Sequence, residues 1–140
     1  MTIALLATKL IQSFEGCKLT AYWDNTGKVW TIGFGHTKKV TCGDAITFDQ
    51  AVVLLEQDAA PLIALVQDRP LVEAAALVSF GYNCGIGALE RVLSGDIQVV
   101  GEQFMADGVS YGEVSGGAHL PGLAARRGLE ASLVEASRGS

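Results

Sequence analysis

Two acidic residues and one hydroxyl residue near the N-terminus could do chemistry together. Glu15 closes an apolar stretch with helical spacing, Asp24 follows in a polar turn, and Thr31 comes next in a segment flanked by glycines. Hydrolysis of a bond between two sugars needs two carboxyl groups at one crevice, one of them as a proton donor. These three residues therefore predict an enzyme that cuts polysaccharide, if the fold brings them to a common cleft.

The sequence around the three residues predicts the elements that position them. Apolar residues at helical spacing predict a helix over residues 2–14 that ends at Gly16. Residues 18–23 alternate like a strand, residues 24–27 form a turn, and residues 28–34 return as a second strand. The result is a helix followed by a β-hairpin with the second acid at its turn.

Alternation along the second strand predicts two different faces. Trp30, Ile32 and Phe34 share one face, which requires burial, whereas Thr31 stands on the other face among small residues. A glycine such as Gly33 would let a sugar ring approach the backbone closely. A bend of the chain is the alternative explanation for this glycine, but it does not explain the isolated hydroxyl.

The two acids have different local settings in the sequence. Glu15 lies beside Phe14 at the negative end of the predicted helix, and both features disfavour a charged carboxyl. A neutral carboxyl can protonate a departing glycosidic oxygen. Asp24 lies in an open turn, so we expect it to stay charged and to stabilise the sugar cation, hold water or attack directly. The structural alternatives are a surface acid at a helix end for Glu15 and an Asx-turn for Asp24.

Length and composition limit the class of protein. The chain has 140 residues, of which 49% are hydrophobic and 18% charged, as expected for a folded domain. Its net charge of −5 argues against a nucleic-acid partner. We find no apolar run of the roughly 20 residues that cross a membrane. Residues 2–8 lack the positive start of a signal peptide, so we expect synthesis in the cytoplasm.

The cysteines and histidines do not predict a metal site or any other cofactor. Cys17, Cys42 and Cys84 are odd in number and lack ligand spacing, so we expect small buried apolar residues. A Cys17–Cys42 bridge is the alternative in an oxidising compartment. His36 falls on the predicted buried face, and His119 lies far away, so we expect His36 to be a structural residue held by hydrogen bonds.

The remaining sequence predicts mainly helices. Thr47 and Gln50 match a capping box that begins a helix, and Pro61 should kink or interrupt that helix. A third short strand is predicted near residues 39–41, and a loop over residues 107–122. Further helical patterns cover residues 70–82, 86–94, 97–106 and 122–136.

These elements predict one α+β domain over residues 1–140. A sheet-containing lobe would cover about residues 15–60, and a helical lobe would combine residues 1–14 and 61–140. The active-site cleft would lie where the two lobes meet.

Several motifs resemble one known family. The run Phe-Glu-Gly-x-x-Leu-x-Ala-Tyr-x-Asp over residues 14–24, followed by Gly-x-x-Trp-Thr-Ile-Gly-Phe-Gly-His-Thr over residues 27–37, is similar to the signature of the phage-type lysozymes, the endolysin muramidases. Residues 79–87 resemble a segment of that family rich in glycine. Residues 120–130 resemble its closing Gly-Leu-x-x-Arg-Arg-x-x-Glu. The resemblance covers nearly the whole chain and implies the lysozyme-like fold.

The resemblance implies a muramidase that hydrolyses, with inversion, the β-1,4 bond between N-acetylmuramic acid and N-acetylglucosamine in peptidoglycan. It implies Glu15 as the general acid, and Asp24 and Thr31 as the residues that hold the attacking water. Gly33 and Asn83 are our candidates for contact with the sugar.

The same resemblance implies a location and a set of partners. We expect peptidoglycan as the partner, no membrane segment, and a monomer that needs no cofactor. The protein would be made in the host cytoplasm and act on the cell wall, in the periplasm, after release by a holin or another export route.

Two alternative functions stay open. A lytic transglycosylase would cut the same bond, need only the glutamate and leave an anhydro-muramic product. A non-catalytic module would bind peptidoglycan without cutting it. Arg126 and Arg127 also have two explanations, contact with the wall polymer or pairing with Glu130 and other acids, and we favour the pairing.

Overall fold

The computed structural model describes residues 1–115 and 118–138. These residues form five helices and seven short strands, which confirms the predicted mixture of helices and small antiparallel sheets. The helices are α1 (Ile3–Phe14), α2 (Phe48–Ala64), α3 (Leu71–Cys84), α4 (Ile86–Ser94) and α5 (Pro121–Arg138). The strands are β1 (Lys18–Asp24), β2 (Val29–Gly33), β3 (Gln98–Val100), β4 (Gln103–Ala106), β5 (Val109–Ser110), β6 (Val114–Ser115) and β7 (Ala118–His119). None of the helices in the described ranges is long and apolar enough to span a bilayer.

Helix α1 ends where the sequence predicts, directly before the first acid. The side chain of Thr2 caps its start by accepting a hydrogen bond from the backbone N–H of Leu5 at 3.1 Å. At its other end the N–H of Glu15 donates to the carbonyl of Ile11 at 2.9 Å. Glu15 itself has extended backbone angles, so the chain leaves the helix at this residue and continues towards β1.

The predicted hairpin is confirmed, and its register sorts the side chains into two faces. Tyr22 lies opposite Thr31, and Trp23 lies opposite Trp30. Directly opposed residues share a face and neighbours along a strand alternate, so Tyr22, Asp24 and Thr31 share one face. The two tryptophans occupy the other face, where their ring centroids are 5.7 Å apart.

The prediction of one buried and one bare face of β2 is wrong. Ile32 is 2% exposed and Thr31 is 3% exposed, so both faces are covered. Gly33 ends the strand with a φ of +66°, and a Cβ at this position would lie 3.4 Å from the Cβ of Ala51 on α2. A bend of the chain against α2 therefore explains why a glycine occupies position 33, which is the alternative explanation given above.

The predicted third strand near residues 39–41 is absent. Lys39 has a φ of 57°, which lies in the left-handed region and outside the range of strands. Asp44 then stabilises a turn, because its carboxylate accepts the N–H of Thr41 at 2.9 Å. Isolated bridges lie on either side of this segment, one between Ile32 and His36 and one between Thr20 and Ala45.

Helix α2 begins with the predicted capping box. The Thr47 hydroxyl accepts the N–H of Gln50 at 3.1 Å, and the Gln50 side chain accepts the N–H of Thr47 at 2.9 Å. Pro61 does not interrupt this helix, which continues to Ala64. Pro61 lies in the last turn, so the missing donor costs one hydrogen bond near the end and leaves the earlier turns intact.

The helix predicted over residues 97–106 is wrong, because this stretch forms the hairpin of β3 and β4. Val99 lies opposite Phe104, and both are buried. The turn that follows β4 contains Asp107 and Gly108, both with positive φ, and leads into β5. The predicted loop over residues 107–122 therefore contains short strands.

Helix α3 lies at the centre of the fold and packs against α1, α2, α4 and α5. Residues 73–81 of this helix are all buried, and all of them except Glu73 and Ser79 are apolar or glycine, as expected for a helix surrounded by other elements. Phe80 stacks on Phe104 of β4 with ring centroids 4.2 Å apart. The same core includes Ile11 from α1, Leu55 from α2 and Val134 from α5. It therefore holds α1 and α5 against the same central helix.

Candidate active site

A cleft of about 300 Å³ lies where the segment after β2 meets α2, α3 and α4. Its walls combine backbone, apolar side chains and a few polar groups, as is usual for a ligand site. The lining residues are Gly35, Thr37, Lys38, Asp58, Pro61, Leu62, Gly81, Tyr82 and Ile86.

Glu15 is not itself a lining residue, but it lies next to Gly35, which lines this cleft. A Cβ at Gly35 would lie 3.5 Å from Oε1 of Glu15 and 4.0 Å from the hydroxyl of Tyr82. Gly35 has a φ of +90°, a conformation that residues with side chains rarely adopt. The glycine therefore leaves open space next to one carboxyl oxygen of Glu15.

The other carboxyl oxygen of Glu15 is bound by Arg126 from α5. Nη1 of Arg126 donates to Oε2 of Glu15 at 2.7 Å, and the guanidinium carbon lies 4.7 Å from the centre of the Phe14 ring. Arg126 is only 5% exposed, and the Glu15 side chain is 23% exposed. The prediction of an apolar setting for Glu15 is therefore wrong, because it considered Phe14 and the helix end without this distant cation.

Arg126 belongs to a buried network of charges. Its Nε donates to Oε2 of Glu130 at 3.2 Å, and Nε of Arg127 donates to Oε1 of Glu130 at 2.6 Å. The Ser79 hydroxyl also donates to Oε2 of Glu130. The favoured pairing of Arg126 and Arg127 with Glu130 is confirmed, and the further acid that Arg126 contacts is Glu15.

Asp24 lies at the end of β1 and forms an Asx-turn, which is the structural alternative predicted for this residue. Its Oδ1 accepts the N–H of Thr26 at 3.0 Å. Its Oδ2 lies beside Gly27, where a Cβ would be 3.1 Å away. The turn thus fixes the orientation of the carboxylate.

The negative charges of Glu15 and Asp24 both affect the phenol of Tyr22. Burial raises the pKa of Tyr22, and the negative charges of Asp24 and Glu15 raise it further. Charges act in this way only at short range in a solvated protein. Both acids therefore lie within electrostatic range of Tyr22.

Tyr82 belongs to helix α3 and lines the same cleft. Its hydroxyl donates to the carbonyl of Phe34 in the segment after β2. Burial raises the pKa of Tyr82, the charges of Asp58 and Glu15 raise it further, and Arg126 opposes them. The phenol therefore stays protonated as a hydrogen-bond donor that joins α3 to the cleft wall.

Thr31 shares the hairpin face of Tyr22 and Asp24. Its hydroxyl donates to the carbonyl of Val29 at 3.3 Å, and the residue is buried. Water binding by Thr31 would therefore require its hydroxyl to turn away from that carbonyl.

The two candidate sugar contacts lie elsewhere, since neither Gly33 nor Asn83 lines the cleft beside Glu15. Gly33 packs against α2. Asn83 borders a second cavity of about 490 Å³ near β5, and its amide oxygen accepts a hydrogen bond from Nη1 of Arg127 at 2.8 Å.

His36 is held by hydrogen bonds on both ring nitrogens, which confirms its prediction as a structural residue. Nδ1 lies 2.7 Å from Oδ2 of Asp58, and Nε2 lies 2.9 Å from the carbonyl of Lys38. The Asp58 contact ties the segment after β2 to α2. The pair therefore stabilises the cleft wall.

Asp58→Ala should lower the free energy of unfolding by about 1–3 kcal/mol, because it leaves a largely buried ring nitrogen of His36 without a partner. The measurement is urea unfolding followed by circular dichroism. Asp49→Ala is the control on the same helix, where an exposed first-turn acid contributes only about 0.3–1 kcal/mol through the helix dipole. An Asp58→Ala protein as stable as this control would show that the pair contributes little.

The three cysteines are free. Cys42 is exposed, so its prediction as a buried residue is wrong, while Cys17 and Cys84 are partly buried. The alternative Cys17–Cys42 bridge is not formed. In the part of the chain that the structure describes, no three His, Cys, Asp or Glu residues are grouped to hold a metal ion.

Three features of the site were not predicted from the sequence, namely Tyr22, Tyr82 and the contact of Arg126 with Glu15. A signal for each was present. Tyr22 belongs to the Ala-Tyr-x-Asp motif, Tyr82 lies in the glycine-rich segment, and Arg126 belongs to the closing motif. The motifs contain these residues, but only the fold shows which groups each of them contacts.

Comparison with known proteins identifies relatives along most of the chain. Residues 12–130 match the sequence model of the family described as Phage lysozyme. An endolysin of Acyrthosiphon pisum secondary endosymbiont phage 1 is 35% identical over 140 residues, covering 91% of this chain and 94% of that protein. The chain spans a smaller share, 54%, of the endolysin of Bacillus phage B103, to which it is 33% identical.

Solved structures agree with this relationship. The endolysin from Escherichia coli O157:H7 phage FAHEc1 superposes with a TM-score of 0.68 and 29% identity, covering 96% of this chain and 93% of that one. The muramidase domain of SpmX from Asticaccaulis excentricus gives a TM-score of 0.65 and 28% identity, covering 91% and 93%. These neighbours confirm the lysozyme-like α+β fold. The match over residues 12–130 and the 35% identical endolysin together show that this chain belongs to the phage lysozyme family.

Proposed function

We propose that this chain is a muramidase that hydrolyses the β-1,4 bond between N-acetylmuramic acid and N-acetylglucosamine, for lysis of a phage's host cell. Its family makes it a lysozyme, a hydrolase of peptidoglycan. The observation that carries the residue assignment is Oε1 of Glu15 beside Gly35 at the edge of the cleft, with Asp24 and Thr31 on one face of the adjoining hairpin.

Glu15 acts as the general acid through Oε1. Oε2 is held by Arg126, whereas Oε1 faces the space beside Gly35. A proton on Oε1 can therefore pass to the oxygen that leaves the cut bond. Proton transfer to the leaving group is the step that such an acid accelerates.

Asp24 and Thr31 act on the sugar cation and on the attacking water. As the bond breaks, the sugar gains positive charge, which the Asp24 carboxylate stabilises. Asp24 then removes a proton from a water molecule that Thr31 helps to hold, and this water adds to the sugar with inversion. The common hairpin face of these two residues supports the assignment.

Two further residues contribute through position and binding. Gly33 ends β2 with its bend, which directs the chain towards Gly35 at the acid. Asn83 donates its amide N–H to a sugar or to the attached peptide at the second cavity, while Arg127 holds the amide oxygen.

The proposed location follows from the substrate. The protein is made in the host cytoplasm and acts as a monomer on the wall in the periplasm, after a holin or another route releases it. It needs no cofactor, because two carboxyl groups and water suffice for this hydrolysis.

Analysis of the products from purified peptidoglycan tests the proposal. We expect new reducing ends, and product masses that correspond to the addition of one water molecule per cut. Anhydro-muramic products without reducing ends would show a lytic transglycosylase instead. Saturable binding to the wall with no released products would show a binding module.

A further inference from the structure

The carboxylate of Glu130 binds Nε of Arg126, whereas Glu15 binds Nη1 of the same guanidinium. Glu130 is completely buried and does not border the cleft. We propose that Glu130 is a positioning residue, which fixes Arg126 so that Arg126 holds Glu15 with Oε1 towards the substrate. This inference rests on the proposed function of Glu15 as the general acid.

Each nitrogen of the Arg126 guanidinium has its own acceptor. Nη1 donates to Glu15 at 2.7 Å, Nε donates to Glu130 at 3.2 Å, and Nη2 donates to the carbonyl of Ser79 at 3.2 Å. Three acceptors in different directions fix both the position and the plane of a guanidinium. Without Glu130, Arg126 would keep its contacts at one edge and could turn about its side chain.

Glu130 is itself held in a single orientation. Its Oε1 accepts Nε of Arg127 at 2.6 Å, and its Oε2 accepts the hydroxyl of Ser79. The Arg127 guanidinium carbon lies 5.2 Å from the centre of the buried Phe80 ring. The orientation of Glu15 therefore depends on a chain of contacts from the core of the protein.

The alternative explanation is that Glu130 only neutralises two buried arginines. Arg126 and Arg127 are 5% and 1% exposed, and a buried charge without a partner is strongly destabilising. An informative test must therefore remove Glu130 without leaving a second buried cation unpaired.

The comparison of Arg127→Met with Arg127→Met/Glu130→Met provides this test. The double variant removes one cation and one anion together, a replacement that proteins often tolerate when the new side chains are apolar. We measure kcat and KM on soluble peptidoglycan fragments for both variants. Relative to the single variant, the double variant should lose about 10²-fold in kcat at equal KM, because the acid is misplaced while the sugar still binds.

Glu73→Met is the control for the loss of a buried carboxylate. Glu73 is 4% exposed and pairs with Arg69 and Arg138, away from Glu15. We expect this variant to be less stable than the wild type and to keep its kcat. A purely structural role for Glu130 predicts the same result in the double variant.

A second measurement does not depend on activity. Nitrogen-15 relaxation of the Arg126 Nε–H group reports the mobility of that side chain, and we expect its order parameter to fall when Glu130 is replaced. If the wild type releases no reducing ends, the proposed function fails, while the relaxation data still test the positioning of Arg126. If the wild type is active and the double variant keeps both kcat and the order of Arg126, only the positioning role is overturned.

Ser79→Ala tests the same contact if the double variant does not fold. This change removes the hydroxyl that donates to Glu130 and that lies 3.3 Å from Nη2 of Arg126. We expect a smaller loss of kcat, about threefold, as for one hydrogen bond, and higher mobility of Arg126. Unchanged kcat and unchanged mobility in a folded Ser79→Ala protein would contradict the proposal.

Discussion

Glu15→Gln should reduce the release of reducing ends from peptidoglycan by about 10²–10⁴-fold, the usual contribution of a general acid. Glutamine keeps the shape of the side chain, and its amide oxygen can still accept a hydrogen bond from Arg126, which lies 2.7 Å from Oε2 of Glu15. The group that faces Gly35 no longer has an acidic proton to give. The rate of reducing-end formation on purified walls is the measurement, with circular dichroism to show that the fold is kept.

Glu56→Gln is the matched control, because Glu56 is an exposed acid on α2 and does not line the cleft. It should cut walls at the wild-type rate. A Glu15→Gln protein that still clears chloroform-treated cells as fast as this control would contradict the assignment of the general acid.

The elements around the site could be predicted because their signals are local. The helix end at Glu15, the turn at Asp24 and the capping box at Thr47 each depend on residues within four positions of one another. Hydrogen bonds over such short separations follow from the sequence with little help from the rest of the fold.

The error over residues 97–106 shows where local pattern is insufficient. Ile97 and Phe104 are buried and seven positions apart, a spacing that fits one face of a short helix, whereas the buried Val99 follows Ile97 by two positions, as in a strand. The structure places Gly101, with a φ of 60°, in the turn between the two strands. The alternating burial of Val99, Phe104 and Ala106 against the core then favours the hairpin.

The surroundings of the candidate acid include contacts between residues far apart in the chain, which local sequence patterns do not reveal. Arg126 and Glu15 are 111 positions apart in the chain, so the cation beside the acid could not be found from the neighbours of Glu15. The burial of Thr31 follows in the same way from tertiary packing around the hairpin, which the alternation of β2 does not reveal. The sequence thus predicted the candidate reacting groups, and the fold determines what surrounds them.

Asp24→Asn should reduce hydrolysis by about 10²-fold or more, since the variant lacks both the charge that stabilises the sugar cation and the base that activates water. Asparagine forms the same Asx-turn, so the hydrogen bond from the N–H of Thr26 should persist and the hairpin should fold. A transglycosylase that depends on Glu15 alone would be almost unaffected by this change. Reducing ends and product masses, measured together, separate the two reactions.

Tyr22 provides a direct check that the charge of Asp24 has been removed from the site. That charge raises the pKa of Tyr22, so Asp24→Asn should lower it towards the ordinary value for tyrosine, as carbon-13 NMR of the ring would show. Asp44→Asn is the control, because Asp44 also caps a turn, with Thr41, but is not one of the charges that raise the pKa of Tyr22. If Asp24→Asn shifts the Tyr22 titration and hydrolysis continues at the wild-type rate, Asp24 lies at the site without taking part in the reaction.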